Sequence, residues 1–197
     1  CRPDQISFTK EEALSSDIVF HKGTLDLRTV SSAKGLVFPK HISGDLDLTR
    51  LNSSEGFAFP KTVGGNVELY GLRVADNLIL PQKIGGNMSL TGLVSVDTLI
   101  CPEYVGGSAH IYSLKEVNKL ILPKKVNRDL SLINLQTIKN ITFPKYVGGQ
   151  LFLSHLTSIE ALKLPITLGD LNLKNMPEEE KEKLQLLYPE HAGKIIK

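Results

Sequence analysis

The residues able to do chemistry are few, and they recur at one interval. Ser89, His110 and Ser131 stand 21 residues apart, a pattern that invites a Ser–His nucleophile reading. Nucleophilic catalysis needs a third group to orient the base and donors for a developing oxyanion, and no residue type at this spacing supplies either. Asp26, Asp47 and Glu68 share the same interval, which stacks like charges and suggests a cation. Arg28 and Arg50 lie close to them in the repeat and supply the neutralising charge, so no metal is expected. Lysines recur as Lys40, Lys61, Lys83, Lys124, Lys125 and Lys145, broken by Glu103 and Ile166; such a ridge suits an anionic glycan or phosphate. The chain has 2 cysteines, too few for a disulfide scaffold or a four-cysteine zinc site. HExxH, CxxC and GxSxG are absent, the Gly-Gly pairs precede strands rather than helix N-termini, and the remaining histidines share no metal spacing. The expectation is no catalytic residue, no metal and no cofactor.

The elements that position these residues follow from the same interval. Pro39, Pro60, Pro81, Pro102, Pro123, Pro144 and Pro165 are each 21 residues apart. Residues 18 to 164 form seven 21-residue units, with a partial eighth to about Met176. Each unit holds two period-2 alternations. Strand A carries pairs such as Leu46/Leu48, Met88/Leu90 and Leu130/Leu132; strand B carries Leu78/Leu80, Leu99/Cys101 and Leu120/Leu122. A third apolar column runs through Val30, Leu51, Leu72, Leu93, Leu114, Leu135 and Leu156. Twenty-one residues cannot bury these positions alone, so the units must stack, each strand pairing in parallel with its copy in the next coil. Proline ends strand B, and the Gly-Gly pairs are read as the turn into strand A. Cys101 takes a core position and is expected to be buried and inert.

The composition agrees with a folded protein: 41% apolar and 22% charged residues, with 23 Lys+Arg against 21 Asp+Glu. A net charge of +2 excludes a polycation dedicated to nucleic acid along its whole length. No apolar run reaches the roughly 18 residues of a membrane span. The domain reading is an N-terminal cap over 1–17, a solenoid over 18–176 and a C-terminal helical cap or linker over 177–197. Thr9 and Glu12 fit a capping box for a helix over 11–15. Pro177 and Glu178–Glu180 begin a second helix whose Leu184, Leu187 and Tyr188 would lid the last coil. Cys1 in place of Met fits a lipid-modified cysteine or a chain that begins within a longer protein.

The repeat resembles the leucine-rich repeat superfamily, nearest to the bacterial treponemal-type (BspA-like) repeat and to the units of leucine-rich-repeat effectors. The matching stretches are Ile138-x-x-Ile141-x-Phe143-Pro144-x-x-Val147 and Val117-x-x-Leu120-x-Leu122-Pro123-x-x-Val126. The treponemal unit is longer and carries an Ala-Phe-x-x-Cys stretch for which this chain substitutes the Gly-Gly turn and a second strand. The fold expected is therefore mainly β: a parallel β-solenoid of leucine-rich-repeat type with a 21-residue repeat, seven to eight coils and short helical caps. The resemblance implies protein recognition, of a host protein by a secreted, host-delivered or cell-surface bacterial module, and carries over no catalytic residue.

Two sets of outward residues are candidates for such binding. Strand A presents Tyr70, His110, Tyr112, Ile133 and Phe152, a mixture suited to a recognition face. Strand B presents Ile79, Ile100 and Ile121 in consecutive units, flanked by small or polar residues, an apolar ladder suited to a partner or to self-association. The alternative is a carbohydrate- or anion-binding solenoid that uses the lysine ridge or the strand A tyrosines. Nucleic acid is not an expected partner.

Overall fold

The computed structural model describes residues 19–196 apart from 33, 57, 138 and 139. It is a parallel β-solenoid of about seven turns, closed at its C-terminal end by a helix. Three sheets wrap one core. The first has eight two-residue strands, from Phe20–His21 to Thr167–Leu168. The second has nine, from Leu25–Asp26 through Leu171–Asn172 to Ile195–Ile196. The third has four: Val74–Ile79, Ser95–Ile100, Glu116–Ile121 and Ile141–Thr142. Within the central turns every strand pairs in parallel with residues 21 positions away, as in Ala109↔Leu130, Val105↔Val126 and Leu99↔Leu120.

Two strands per turn is the reading the L-x-L alternations suggest; the structure has three sheets. The additional one is the first sheet, whose strands lie between the proline and the Gly-Gly pair. Each offers one inward aliphatic, Ile42, Val63, Ile84, Val105, Val126, Val147 or Leu168, and all seven are buried. Strand B is also shorter-lived than expected. Among the described residues it forms no strand in the first two turns, at 36–38 and 58–59. Where it does form, Asp76 and Asn77 both face outward between the buried Ala75 and Leu78, so the strand bends around the core instead of alternating.

The core is a set of ladders. Leu46, Val67, Met88, Ala109, Leu130 and Leu151 form one column with no exposure; Leu48, Leu69, Leu90, Ile111, Leu132 and Leu153 form the next. Cys101 is buried, and loss of hydration pushes its thiol well above the ordinary range, consistent with an inert core residue.

The Gly-Gly pairs have a different reason from the one expected of a turn. The described glycines with positive φ are Gly23, Gly35 and Gly56, none of them in a Gly-Gly pair. A Cβ on Gly85 would strike the Gly64 carbonyl oxygen and lie 2.9 Å from its carbonyl carbon. Successive corners stack so closely that a side chain forces them apart, as at Arg128, whose N–H lies 3.2 Å from the Gly107 carbonyl where Gly65, Gly86 and Gly107 keep 2.8 Å.

The helix Glu178–Leu187 begins after Pro177, with three glutamates in its first turn. Leu184 is buried and Tyr188 donates its hydroxyl to the Leu162 carbonyl at 2.8 Å. Leu187, expected on the same packed face, is instead 66% exposed. The lid is completed by other groups. Glu180 accepts the Ile159 N–H at 2.9 Å, and Lys194 donates to the Leu168 carbonyl at 2.6 Å. Ile195–Ile196 then adds a strand beside Leu171–Asn172, covering an edge that would otherwise be open. The expected helix over 11–15 lies outside the described residues.

Candidate functional site

The eight candidate binding residues fall on two different faces. Tyr70, His110, Tyr112, Ile133 and Phe152 share the second sheet and its flank, and Ile79, Ile100 and Ile121 share the third. No single flat surface holds all of them.

On the second sheet the outward column runs Asp26, Asp47, Glu68, Ser89, His110, Ser131, Phe152 in register. Of the two arginines expected to neutralise its acidic end, Arg28 pairs with two of the three carboxylates, Asp26 and Asp47. Arg28 donates to both carboxylate oxygens of Asp26, at 2.6 Å to Oδ2 and 3.0 Å to Oδ1, and its Nε lies 3.6 Å from Asp47. The guanidinium holds the Asp26 carboxyl below its usual range. Among the described residues no group of three His, Cys, Asp or Glu side chains is arranged to hold a metal ion.

This face is not the flat, exposed surface expected of it. Ser89 and Ser131 are buried, Ser131 with only 2% exposure, and Glu68 Oε2 and Ser131 Oγ are buried without a hydrogen-bond partner. The Glu68 carboxylate beside the Tyr70 hydroxyl raises the Tyr70 phenol above its normal range. His110 is half-buried. Its Nδ1 lies 2.9 Å from the Tyr112 hydroxyl, and partial burial pushes its imidazolium down from 6.5. The rings of His110 and Tyr112 are tilted at 54° with centroids 5.1 Å apart. Ser89 and Ser131 pair with His110 across the ladder, but its ring is oriented by Tyr112, not by a carboxylate. Ile133 and Phe152 are half-buried.

On the third sheet, Ile79, Ile100, Ile121 and Thr142 occupy one register column. Ile79 is 60% exposed and Val74, on the same strand, 61%; Ile100 and Ile121 are partly covered. Val74–Ile79 is the last strand of its sheet. Two clefts of about 670 and 300 Å³ lie between it and residues 53–56 and 58–61, and Ile79 lines the smaller one. Asp76 and Asp97 stand exposed beside the ladder, with Asn118 donating to Asp97 at 2.5 Å.

Two features escaped the sequence reading. The first is a hydrogen-bond ladder at the corner after each Gly-Gly pair. Asp45 accepts the Asn66 N–H at 2.6 Å, Asn66 accepts that of Asn87 at 2.7 Å, and Asn87 accepts that of Ser108 at 2.8 Å. Ser108 and Asp129 continue it. The signal was present as a small polar residue following the glycines. The second is the place of Tyr104 and Tyr146 between the ridge lysines already named: Lys83, Tyr104, Lys125 and Tyr146 form the outward column of the first sheet in consecutive turns. No family model, no curated protein and no solved structure matches this chain.

Proposed function

We propose that this chain is a protein-binding solenoid of the leucine-rich-repeat kind, the recognition module of a bacterial surface or effector protein, with no chemistry of its own. The repeat columns and their parallel stacking support the type. The single observation that carries the binding reading is Ile79, a large aliphatic 60% exposed at the end of an in-register Ile ladder and beside a cleft. Exposed apolar ladders of this kind mark interfaces. The exposed Asp76 and Asp97 add the complementary half of the description: the partner presents an apolar ridge flanked by Lys or Arg. Burying what remains exposed of Ile79 is worth roughly 1–2 kcal/mol before association costs.

A photo-crosslinking residue in place of Ile79 identifies the partner in host-cell extract, and the purified partner is then titrated by calorimetry. Ile79→Glu should keep the circular dichroism and melting of the parent and weaken binding at least tenfold. Unchanged affinity removes the ladder as the interface. A parent that dimerises in sedimentation equilibrium, and a variant that does not, would make the partner a second copy of this chain and overturn the host-protein reading.

A further inference from the structure

We infer that the first sheet is a separate binding site for a linear acidic polysaccharide. The site is the alternation Lys83, Tyr104, Lys125, Tyr146, one residue per turn on the outward side of that sheet.

The four side chains are organised against one another. Lys83 Nζ lies 5.5 Å from the Tyr104 ring centroid, and Lys125 Nζ lies 6.0 Å from Tyr104 and 4.9 Å from Tyr146. Cation–π attraction thus holds the Lys125 ammonium between two rings and the Lys83 ammonium beside one, instead of leaving them on free four-carbon stems. Asn127 donates to the Tyr104 hydroxyl at 2.8 Å, which leaves that hydroxyl's own proton for a ligand. The backbone beneath is a sheet paired on both sides, so the spacing is fixed. Successive turns rise about 4.8 Å, which puts Lys83 and Lys125 about 9.6 Å apart with a phenol between them.

The surroundings carry the same sign. Lys40, Lys61, Lys124 and Lys145 fall in the adjoining exposed column, and its one carboxylate, Glu103, is paired with Lys124 at 2.9 Å. The ridge from Lys40 to Lys145 spans five rungs, about 24 Å. The corner glycines Gly64, Gly85 and Gly106 flank the other side without side chains, and the next residue of that column, Asn127, turns its amide to the Tyr104 hydroxyl. A nearly neutral chain has therefore gathered an excess of positive charge on one face, while Asp26, Asp47, Asp76 and Asp97 lie on the others.

The chemistry separates the polyanions. Single-stranded nucleic acid is held by bases stacking on open aromatic faces. Here Lys83 and Lys125 lie over the Tyr104 ring and Lys125 over that of Tyr146, so neither ring is left as an open stacking platform on both faces. A peptide that binds by extending a sheet needs its edge, and these strands lie in the interior of theirs. Alternating ammonium and phenol groups match a chain that alternates carboxylate or sulfate with hydroxyl, as uronate and sulfated glycans do.

The test uses affinity electrophoresis and calorimetry at low salt with polygalacturonate, dextran sulfate, neutral dextran, oligodeoxythymidylate and polyglutamate. Binding to the two acidic glycans and not to dextran is expected. Lys83→Gln with Lys125→Gln should weaken it at least tenfold and reduce the salt slope by about two. Lys34→Gln with Lys163→Gln, equal in charge change but off this face, should weaken it less than twofold. Tyr104→Phe with Tyr146→Phe should weaken it severalfold with no change in charge. Equal losses in the two lysine pairs would reduce the effect to net charge and overturn the site. Tighter binding of oligodeoxythymidylate or polyglutamate, or no binding of either glycan, would overturn the ligand class.

Discussion

Gly85→Ala tests the corner geometry that sets the spacing of the whole stack. The added methyl would collide with the Gly64 carbonyl, a backbone group that no rotamer change can move. Relief requires the two corners to part. Such parting is visible elsewhere in the molecule. At the second glycine position the corner hydrogen bond is 2.8 Å for Gly65, Gly86 and Gly107, and lengthens to 3.2 Å where Arg128 follows Asn127 in place of a glycine pair. The fold therefore yields by a few tenths of an ångström, and the cost is that of ordinary overpacking, about 1–3 kcal/mol, not a failure to fold. Replacing glycine also lowers the entropy of the unfolded chain, which offsets about 0.4–1 kcal/mol. The net expectation is a loss of about 1–2 kcal/mol, or a melting temperature lower by about 2–8 °C for a chain of this size. Gly193→Ala is the control, because a Cβ there meets nothing within 4 Å and the residue has no positive φ. It should match or slightly exceed the parent. Thermal melts by circular dichroism of the three proteins decide the matter. A Gly85→Ala protein that melts with Gly193→Ala, at or above the parent, refutes the close-approach account of the Gly-Gly pairs.

Leu90→Asp places a charge at a position with no exposure, between Met88 and Leu93 on the same turn; such burial costs several kcal/mol, and the variant should lose cooperative unfolding in a urea titration. A parent-like transition would mean that strand A faces outward at this position. His110→Gln should alter the pH dependence of stability in one window. The His110 imidazolium is lowered from 6.5 by burial, so the folded state holds its proton less readily than the unfolded chain, and stability falls as pH drops below about 6.5. The variant should lose that decline in melts between pH 7.5 and 5, while both proteins weaken below pH 4 as carboxylates such as Asp26 are protonated.

Much of the architecture is legible because it repeats. Leu90 could be placed inside from its own column, since Leu69 and Ile111 occupy the same position one turn away. The first sheet is not legible on that principle. Its strands are two residues long and carry one inward aliphatic each, and a single apolar residue has no period. The same brevity hides Tyr104 and Tyr146, which sit in a stretch that reads as a post-proline turn, so their alternation with Lys83 and Lys125 becomes visible only once the turn is a strand. Leu187 fails for the opposite reason. Its i, i+3 relation to Leu184 is sound within the helix, but the face that packs is chosen by the last coil, where Leu162 and Leu168 offer carbonyls and attract Tyr188 and Lys194 instead.

The three outward faces differ in what their columns permit. Any residue that stacks on copies of its own position meets its like about 4.8 Å away, so a charged column is self-repelling unless something is placed between the charges. On the second sheet Arg28 pairs with both Asp26 and Asp47, Glu68 follows on the next rung beside Tyr70, and the column then abandons carboxylates for Ser89, His110 and Ser131. On the third sheet the column avoids the problem by being aliphatic. On the first sheet lysine recurs only at every second rung, with a tyrosine ring between, so each ammonium faces a π-system instead of another ammonium. That spacing removes the mutual repulsion that would otherwise splay the lysines apart. It keeps the positive charge of Lys83 and Lys125 aligned and uncompensated along one line, which is the condition for meeting an extended anion.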